Sequence, residues 1–346
     1  MAHRFLVKEI ALQAGVGVAT VDRVLNGRPN VREGTRRRVE QAIRELEKQA
    51  LQLATTGRKL IIDVVAEAPA RFTTEIQDAL EAELPAFHPV VLRPRFFMRE
   101  TMQTAEVVET LHAIGRRGSH GVVLKARDVP EISEAIGVLK TIGIPVVTTF
   151  TDIPLSARIA YAGLDNRVAG ATAAYLIGQW LRGLNGTVLV TMSDEGFRGE
   201  EERESSFRRA LRVSYPNLDL LDASGGHGLN MQTEARMRKV VTTRSKIAAV
   251  YSMGGGNAAV LKVLEAANQR PLCFIGHDLD RDNMGLLRER KVQAILHHDL
   301  RQDMRSACQH IMHYHRLIPA SAIAPSSSVV VVTPENIPEH IASRFR

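Results

Sequence analysis

The stretch VKEIALQAGVGVATVDRVLNG, residues 7–27, carries the deciding pattern of this 346-residue chain. With Leu6 just ahead of it, Ile10 and Ala14 recur at four-residue spacing while Lys8, Glu9 and Gln13 turn away, which predicts a short amphipathic helix. Gly15-Val16-Gly17 breaks that helix. Val21, Val24 and Leu25 then share one face of a second helix, which Gly27 stops after Asn26. Two short helices joined by a glycine-containing turn form the arrangement that lays a second helix into the major groove of DNA. A third helix is predicted over RRRVEQAIREL, with Thr35 as its N-cap and Val39, Ala42, Ile43 and Leu46 closing a three-helix core.

The charge distribution agrees with that reading. Residues 1–58 hold eleven Lys/Arg against six Asp/Glu, so +5 of the formal net charge of +7 sits in this segment and +2 on the rest. A basic head on a nearly neutral body is the footprint of a polyanion-binding module joined to a part with another task. The body is expected to be globular, since 45% of residues are hydrophobic and 24% charged, and the length calls for two or three compact units. The start, MAHRFLVKEIALQAG, has no unbroken apolar stretch and no eighteen apolar residues run together anywhere. Secretion and membrane spanning are therefore not expected, and the location read is cytoplasmic. Cys273 and Cys308 lie in apolar surroundings far from any CxxC partner, which predicts buried thiols rather than a disulfide or a zinc site.

VKEIALQAGVGVATVDRVLNG, followed by TRRRVEQAIREL, resembles the helix-turn-helix of the lactose-repressor (LacI/GalR) family over about the first 46 residues. The resemblance implies that Val18 and Ala19 face base edges at the start of the recognition helix, that Arg23 reads a base, that Thr20 contacts phosphate and that Asn26 holds the turn. Arginine addresses O6 and N7 of guanine together, a discrimination of about 1–3 kcal/mol. Gly17 and Asp22 depart from the family, which usually has serine at both places. A helix cap is thereby weakened, and a carboxylate comes near the phosphates, where pairing with Arg23 or Arg36 is expected, or repulsion of wrong sequences. The Arg36-Arg37-Arg38 run reads equally as a DNA contact or as a solvated face.

The family's hinge segment begins Tyr-x-Pro-Asn and carries a leucine that wedges into the minor groove. ELEKQALQLATTGRKL has none of the three marker residues, so Leu53 is the wedge candidate, and the third helix is read alternatively as running on to Thr55-Thr56-Gly57.

From Lys59 onward short apolar runs alternate with amphipathic stretches. Strands are predicted at 60–67, 90–97, 121–126, 145–150, 159–165, 187–192, 218–224, 248–253, 272–278, 292–298 and 329–334. Strands separated by helices mean parallel sheets, and this number is too large for one sheet with a single switch point, so two Rossmann-like lobes are expected. PVVTTFTDIP, RIAYAGLDNRVAGATAAYLIGQWL and FIGHD extend the resemblance over about 59–340, to the periplasmic sugar-binding-protein fold that serves the family as effector domain. The expected fold class is thus α/β: a three-helix helix-turn-helix domain (1–48), a linker or hinge (49–58) and a two-lobed domain (59–346). Lobe 1 is expected over about 59–157 plus 299–318, and lobe 2 over about 158–298 plus 319–346.

In such a fold the ligand lies between the lobes, at the carboxyl ends of the strands. Sugar sites need carboxylates, amides, arginines and stacking aromatics. The resemblance implies effector contacts from Phe72, Asp165, Asn166, Arg203 and Asp278, with Asn257, His298, Thr151 and Asp152 as further candidates. The plainer roles are core packing for Phe72, helix capping for Asn257, and caps or salt bridges for the charged residues.

Enzyme signals are weak. MGGGN lacks both the GxGxxG spacing and a Walker lysine, and the neighbours His297 and His298 on a strand cannot converge with Asp299 on one metal ion. Ser193-Asp194-Glu195 makes no nucleophile elbow, so no catalytic residue, metal or cofactor is expected. The resemblance implies a DNA-binding transcription regulator, by default a repressor, that meets a pseudo-palindromic double-stranded operator and a small sugar-like effector. A homodimer is expected, with a tetramer as the alternative. The rival readings are a solute-binding protein and a sugar-modifying enzyme, each with an accessory DNA-binding head.

Overall fold

A computed structural model describes residues 4–29, 31–55, 57–242 and 246–343, with backbone alone at 48–55 and 340. It falls into two compact units, residues 1–59 with 87–91, and residues 60–86 with 92–346.

In the smaller unit the helices are α1 (Val7–Ala14), α2 (Val18–Leu25) and α3 (Glu33–Thr55). Their core is Ile10, Ala11, Ala14, Val21, Val39 and Ala42, all buried. Leu6, expected on that core, is instead the N-cap of α1 and 69% exposed, because the apolar stripe begins one turn later at Ile10. Thr35 does not cap α3: the helix starts at Glu33, and the Thr35 N–H bonds the Arg32 carbonyl. The helix runs through the expected linker to Thr55, in line with the absence of a proline or other breaker before Gly57. Leu53 lies on this run, but its side chain is outside the described residues.

The larger unit contains two sheets. The first is ordered β2-β1-β3-β4-β5, from β1 (Lys59–Glu67), β2 (Val91–Arg99), β3 (Gly121–Lys125), β4 (Val146–Thr149) and β5 (Ala160–Ala162). The second, ordered β11-β10-β9-β8-β6-β7, comprises β6 (Gly186–Thr191), β7 (Leu218–Asp222), β8 (Ile247–Ser252), β9 (Cys273–His277), β10 (Ala294–His297) and β11 (Val330–Val332). Helices α4 (Ala70–Glu83), α5 (Thr104–Arg117), α6 (Pro130–Thr141) and α12 (Leu300–Tyr314) accompany the first sheet; α7 (Asn166–Trp180), α8 (Arg198–Ser214), α9 (Asn230–Val240), α10 (Asn257–Ala266) and α11 (Arg281–Arg288) accompany the second.

Continuous apolar strands follow from burial on both faces. Leu111 and Ile114 of α5 and Ile132, Ile136 and Leu139 of α6 cover Val122 and Leu124 of the first sheet. Ile177 of α7 and Phe207 of α8 cover one face of the second sheet, and Val260 and Leu264 of α10 the other. Asp63 interrupts the apolar β1 run; it is fully buried but held by Arg95 at 2.8 and 2.6 Å and by Arg117 at 2.9 Å. Cys273 and Cys308 are buried free thiols, and burial pushes both up to about 12.

Two expectations need correcting. The boundary placed at 157/158 falls too early, because Thr148 pairs with Tyr161 and so β5 closes the first sheet. The sheets are also not wholly parallel: the chain returns from α12 and enters the second sheet as β11, antiparallel to β10. Among the described residues no helix is long and apolar enough to cross a membrane.

Candidate functional site

On the smaller unit, Val18, Ala19 and Arg23 stand exposed along α2, and Thr20 is half-buried beside them. Asn26 follows the helix and its Nδ2 donates to the Asp22 carbonyl (2.9 Å) and carboxylate (2.8 Å), so it closes the turn. Asp22 pairs with Arg28 at 3.1 Å rather than with Arg23 or Arg36. The physical reason is the turn itself, which folds Arg28 back over Asp22, whereas consecutive helical residues such as Asp22 and Arg23 diverge around the axis. Gly17 caps α2 without any side-chain hydrogen bond. Within the arginine run, Arg38 donates to the carbonyls of Ala14 and Gly15, both at 2.9 Å, and so ends α1, and Arg37 pairs with Glu33.

In the larger unit a cavity with about 770 Å³ of atom-free space, part of it continuous with solvent, opens between the two sheets. It gathers the carboxyl ends of strands from both: Glu67 at the end of β1, Lys125 at the end of β3, Phe150 after β4, Ser193 after β6, Met253 after β8, Asp278 after β9 and His298 after β10. Five predicted residues line it: Phe72, Thr151, Arg203, Asp278 and His298. Phe72 packs edge-on against Phe150 (5.3 Å between centroids), and Phe150 in turn against His298 (5.7 Å), which makes one aromatic wall. Thr151 Oγ1 accepts from the Gly199 N–H at 3.0 Å and ties this wall to α8. Gly170 lets α7 and α8 approach until a Cβ there would stand 2.1 Å from the Arg203 carbonyl, and this seating aims Arg203 at the cavity.

Four predicted residues stay out of it. Asp152 accepts from Arg158 at 2.5 and 2.6 Å and from Thr148 at 2.7 Å, bracing the loop between β4 and β5. Asp165 is exposed and caps α7, accepting from the Arg167 N–H at 2.9 Å. Asn166 is buried and accepts from Arg203 Nε at 2.7 Å. Asn257 neither caps α10 nor reaches the cavity; its Nδ2 donates to Asn283 Oδ1 at 2.7 Å, and Asn283 donates to the backbone carbonyls of His277 and Asp278. Asn166 thus acts one bond behind the cavity wall and Asn257 two. The second relay supports Asp278, whose φ of +61° is strained for a residue with a side chain.

Charges inside the cavity oppose and balance one another. His298 lies 2.5 Å from buried Asp303 and 3.5 Å from Asp278. Burial disfavours its charge, but the Asp303 and Asp278 carboxylates outweigh this and raise it to about 9, so it is a cation at neutral pH. Burial pushes the Asp278 carboxyl upward, yet the nearby His298, 3.5 Å away, and the Arg203 charge hold it well below the usual carboxylate range. Asp278 Oδ1 has no hydrogen-bond partner among the described residues. Lys125 donates to the Glu67 carbonyl at 2.8 Å and sits 4.2 Å above the Phe197 ring; burial lowers its pKa, against the pull of Glu200, Glu67 and Asp278. His277 is held neutral by burial and Arg203, and shares a 2.8 Å hydrogen bond with Tyr251.

Lys125, Glu67 and Glu200 escaped the sequence reading. The first two were within its reach, since Glu67 ends LIIDVVAE and Lys125 stands next to the end of GVVLKA, where strands give way to loops. Glu200, inside an acidic helical run, gave no such signal. Acceptors, donors and aromatic faces meet in this one cavity.

Residues 64–314 match the model for the periplasmic binding protein domain, and residues 6–47 that for bacterial regulatory proteins of the lacI family. The HTH-type transcriptional regulator TreR of Salmonella typhimurium is 34% identical over 125 residues, 36% of this chain and 39% of that protein; TreR of Escherichia coli gives the same figures. The match therefore spans well under half of those curated relatives. Among solved structures, a solute-binding protein of an ABC transporter from Burkholderia graminis, in complex with D-arabinose, is 19% identical with a TM-score of 0.71, covering 82% of this chain and 98% of that one. GanP, a glucose-galactose binding protein from Geobacillus stearothermophilus, is 18% identical with a TM-score of 0.71, covering 81% and 99%. At these identities the solved structures show a shared fold. The chain thus joins a head of the lacI regulatory-protein type to a body of the periplasmic binding protein domain family, and over most of its length it belongs to that latter family.

Proposed function

We propose that the protein is a sequence-specific DNA-binding transcription regulator, a repressor by default, whose cleft binds a small sugar and thereby alters its hold on an operator. The observation that carries this is the presence, in one chain, of an exposed recognition face (Val18, Ala19, Arg23) and a strand-end cavity that presents Arg203, Asp278 and Lys125 beside aromatic walls. The TreR relatives are named as transcriptional regulators, which supports a regulator over a transport protein, and one similar fold was solved with D-arabinose, which supports a sugar as the effector.

The effector contacts are assigned to Phe72, Arg203, Asp278, His298 and Lys125, with Asn166 positioning Arg203. Val18, Ala19 and Arg23 are assigned to base edges and Thr20 to phosphate. A homodimer reading a pseudo-palindromic operator fits the head, and such a protein works in the cytoplasm without catalysis. The test is to sequence the DNA retained by the pure protein with and without a panel of monosaccharides and disaccharides, ranked first by melting-temperature shift. Retention of a common half-site that one sugar releases or strengthens is expected. Affinity should also fall steeply with salt; retention without sequence preference, or a flat salt response, overturns the reading.

A further inference from the structure

The Gly254-Gly255-Gly256 run matches no phosphate-binding spacing, and each of its glycines answers to a different neighbour. A Cβ on Gly254 would lie 2.1 Å from the Ser193 N, and one on Gly256 2.6 Å from Thr233 Oγ1, both on the same lobe. Gly255 differs: its Cβ would stand 2.3 Å from Nη2 of Arg71, which comes from α4 on the opposite lobe. Nη2 of Arg71 donates to the Gly228 carbonyl at 2.7 Å, and Nε lies 2.8 Å from Oδ2 of Asp280, the N-cap of α11. Arg71 and Asp280 side chains are only 16% and 5% exposed.

We infer that Arg71 is a positioning residue that latches the two lobes together, and that Gly228, Gly255 and Asp280 form the socket built to receive its guanidinium. Other ion pairs between the lobes among the described residues include Arg127 with Asp194 and Arg198 with Asp128, but they are weaker fasteners. Arg127 is also held by Glu67 on its own lobe, and the Arg198 pair is 3.4 Å long and substantially solvated. Arg71 instead gives Nε and Nη2 to two acceptors on the other lobe in a shielded place, and the planar guanidinium fits that two-point socket as an ammonium cannot. Arg71, Gly255 and Asp280 also line the cavity, so the latch closes one side of the cleft itself.

The experiment places spin labels at Glu131→Cys on lobe 1 and Met231→Cys on lobe 2, the native Cys273 and Cys308 being buried, and measures interlabel distances without ligand. Arg71→Ala should raise the fraction of long, open distances roughly tenfold from a minor population of a few per cent. Arg71→Lys should restore closure in part. Gly255→Ala should open the cleft with Arg71 still present, and combining it with Arg71→Ala should add little, because both remove one interaction. Gly255 has a φ of +87°, so its variant risks misfolding; Asp280→Asn keeps the helix cap and removes only the charge, and should open the cleft as well. If Arg71→Ala and Asp280→Asn melt as cooperatively as wild type and leave the distance distribution unchanged, the latch is refuted.

Discussion

Arg203 Nε donates to Asn166 Oδ1 at 2.7 Å, and both side chains are at most 5% exposed. Arg203 Nη1 donates to the Met253 carbonyl at 3.1 Å, so two edges of a planar group are fixed and the third is left to face the cavity. A guanidinium held in this way reaches a ligand without first losing rotamer freedom. Asn166 belongs to the site, one bond behind it.

Asn166→Leu therefore should weaken binding of whichever sugar wild type recognises by about ten- to a hundredfold, through loss of one buried hydrogen bond and an unsatisfied Nε, a cost of ~1–3 kcal/mol. Asp165→Ala on the same turn removes only an exposed cap and should lower the melting temperature slightly without altering sugar affinity. Calorimetric titration of both variants decides the matter, and equal losses of affinity would put Asp165 in the site after all.

The buried His298 group makes stability depend on alkaline pH. Its folded pKa, about 9, lies above its ordinary value of 6.5, so its stabilising contribution is whole below pH 6.5 and is lost as pH rises through 9. At ~1.4 kcal/mol per tenfold change the loss is at most on the order of 3 kcal/mol. Asp303→Asn removes the foremost group that raises the value and should flatten the profile, read as urea midpoints between pH 6 and pH 9.5. An unchanged slope in that variant would mean that His298 is neutral in the native protein.

Asp280 titrates in the opposite sense to Asp278. Burial raises its carboxyl to about 6, with the Arg71 charge opposing that rise. The folded value exceeds the ordinary 3.8, so this group's stabilising contribution is whole below that value and is lost as pH rises through about 6. Arg71→Ala should move the Asp280 titration to still higher pH, visible in the carboxyl carbon resonance. A downward move would show that the residue has become solvated, and that the pair does not survive in solution.

How far the sequence could be read followed from how local each signal was. The helical core at Ile10, Val21 and Val39 and the eleven strands are written in short-range periodicity, and all appear. The edge placement of β5 is not local: IAYAGLD reads as a strand wherever it pairs, and only the register of Tyr161 beside Thr148 assigns its sheet. For the cleft, Arg203 and Asp278 were accessible as strand-end or motif residues, whereas Asp152 looked alike and points to Arg158 instead. A charged residue after a strand has the same sequence signature whether it faces a ligand or an arginine six residues on. The Arg71 socket joins residues about 160 to 210 positions apart and left no trace beyond an unexplained glycine run.

The head yields the last prediction, which turns on Asp22. Because Asp22 is engaged by Arg28 and by the Asn26 amide, Arg23 stands exposed without a carboxylate partner among the described residues and is available to a base. Arg23→Ala should relax preference at one base pair of each half-site by about 1–3 kcal/mol while leaving the salt dependence nearly unchanged, as expected for a base contact. Arg28→Ala should behave differently: it frees the Asp22 carboxylate, whose charge then repels phosphate, and so weakens binding to all sequences alike. Competition binding with randomised half-sites at two salt concentrations distinguishes the two variants. If Arg23→Ala lowered affinity uniformly and preserved every base preference, α2 would be gripping backbone rather than reading sequence, and specificity would have to come from elsewhere in the head.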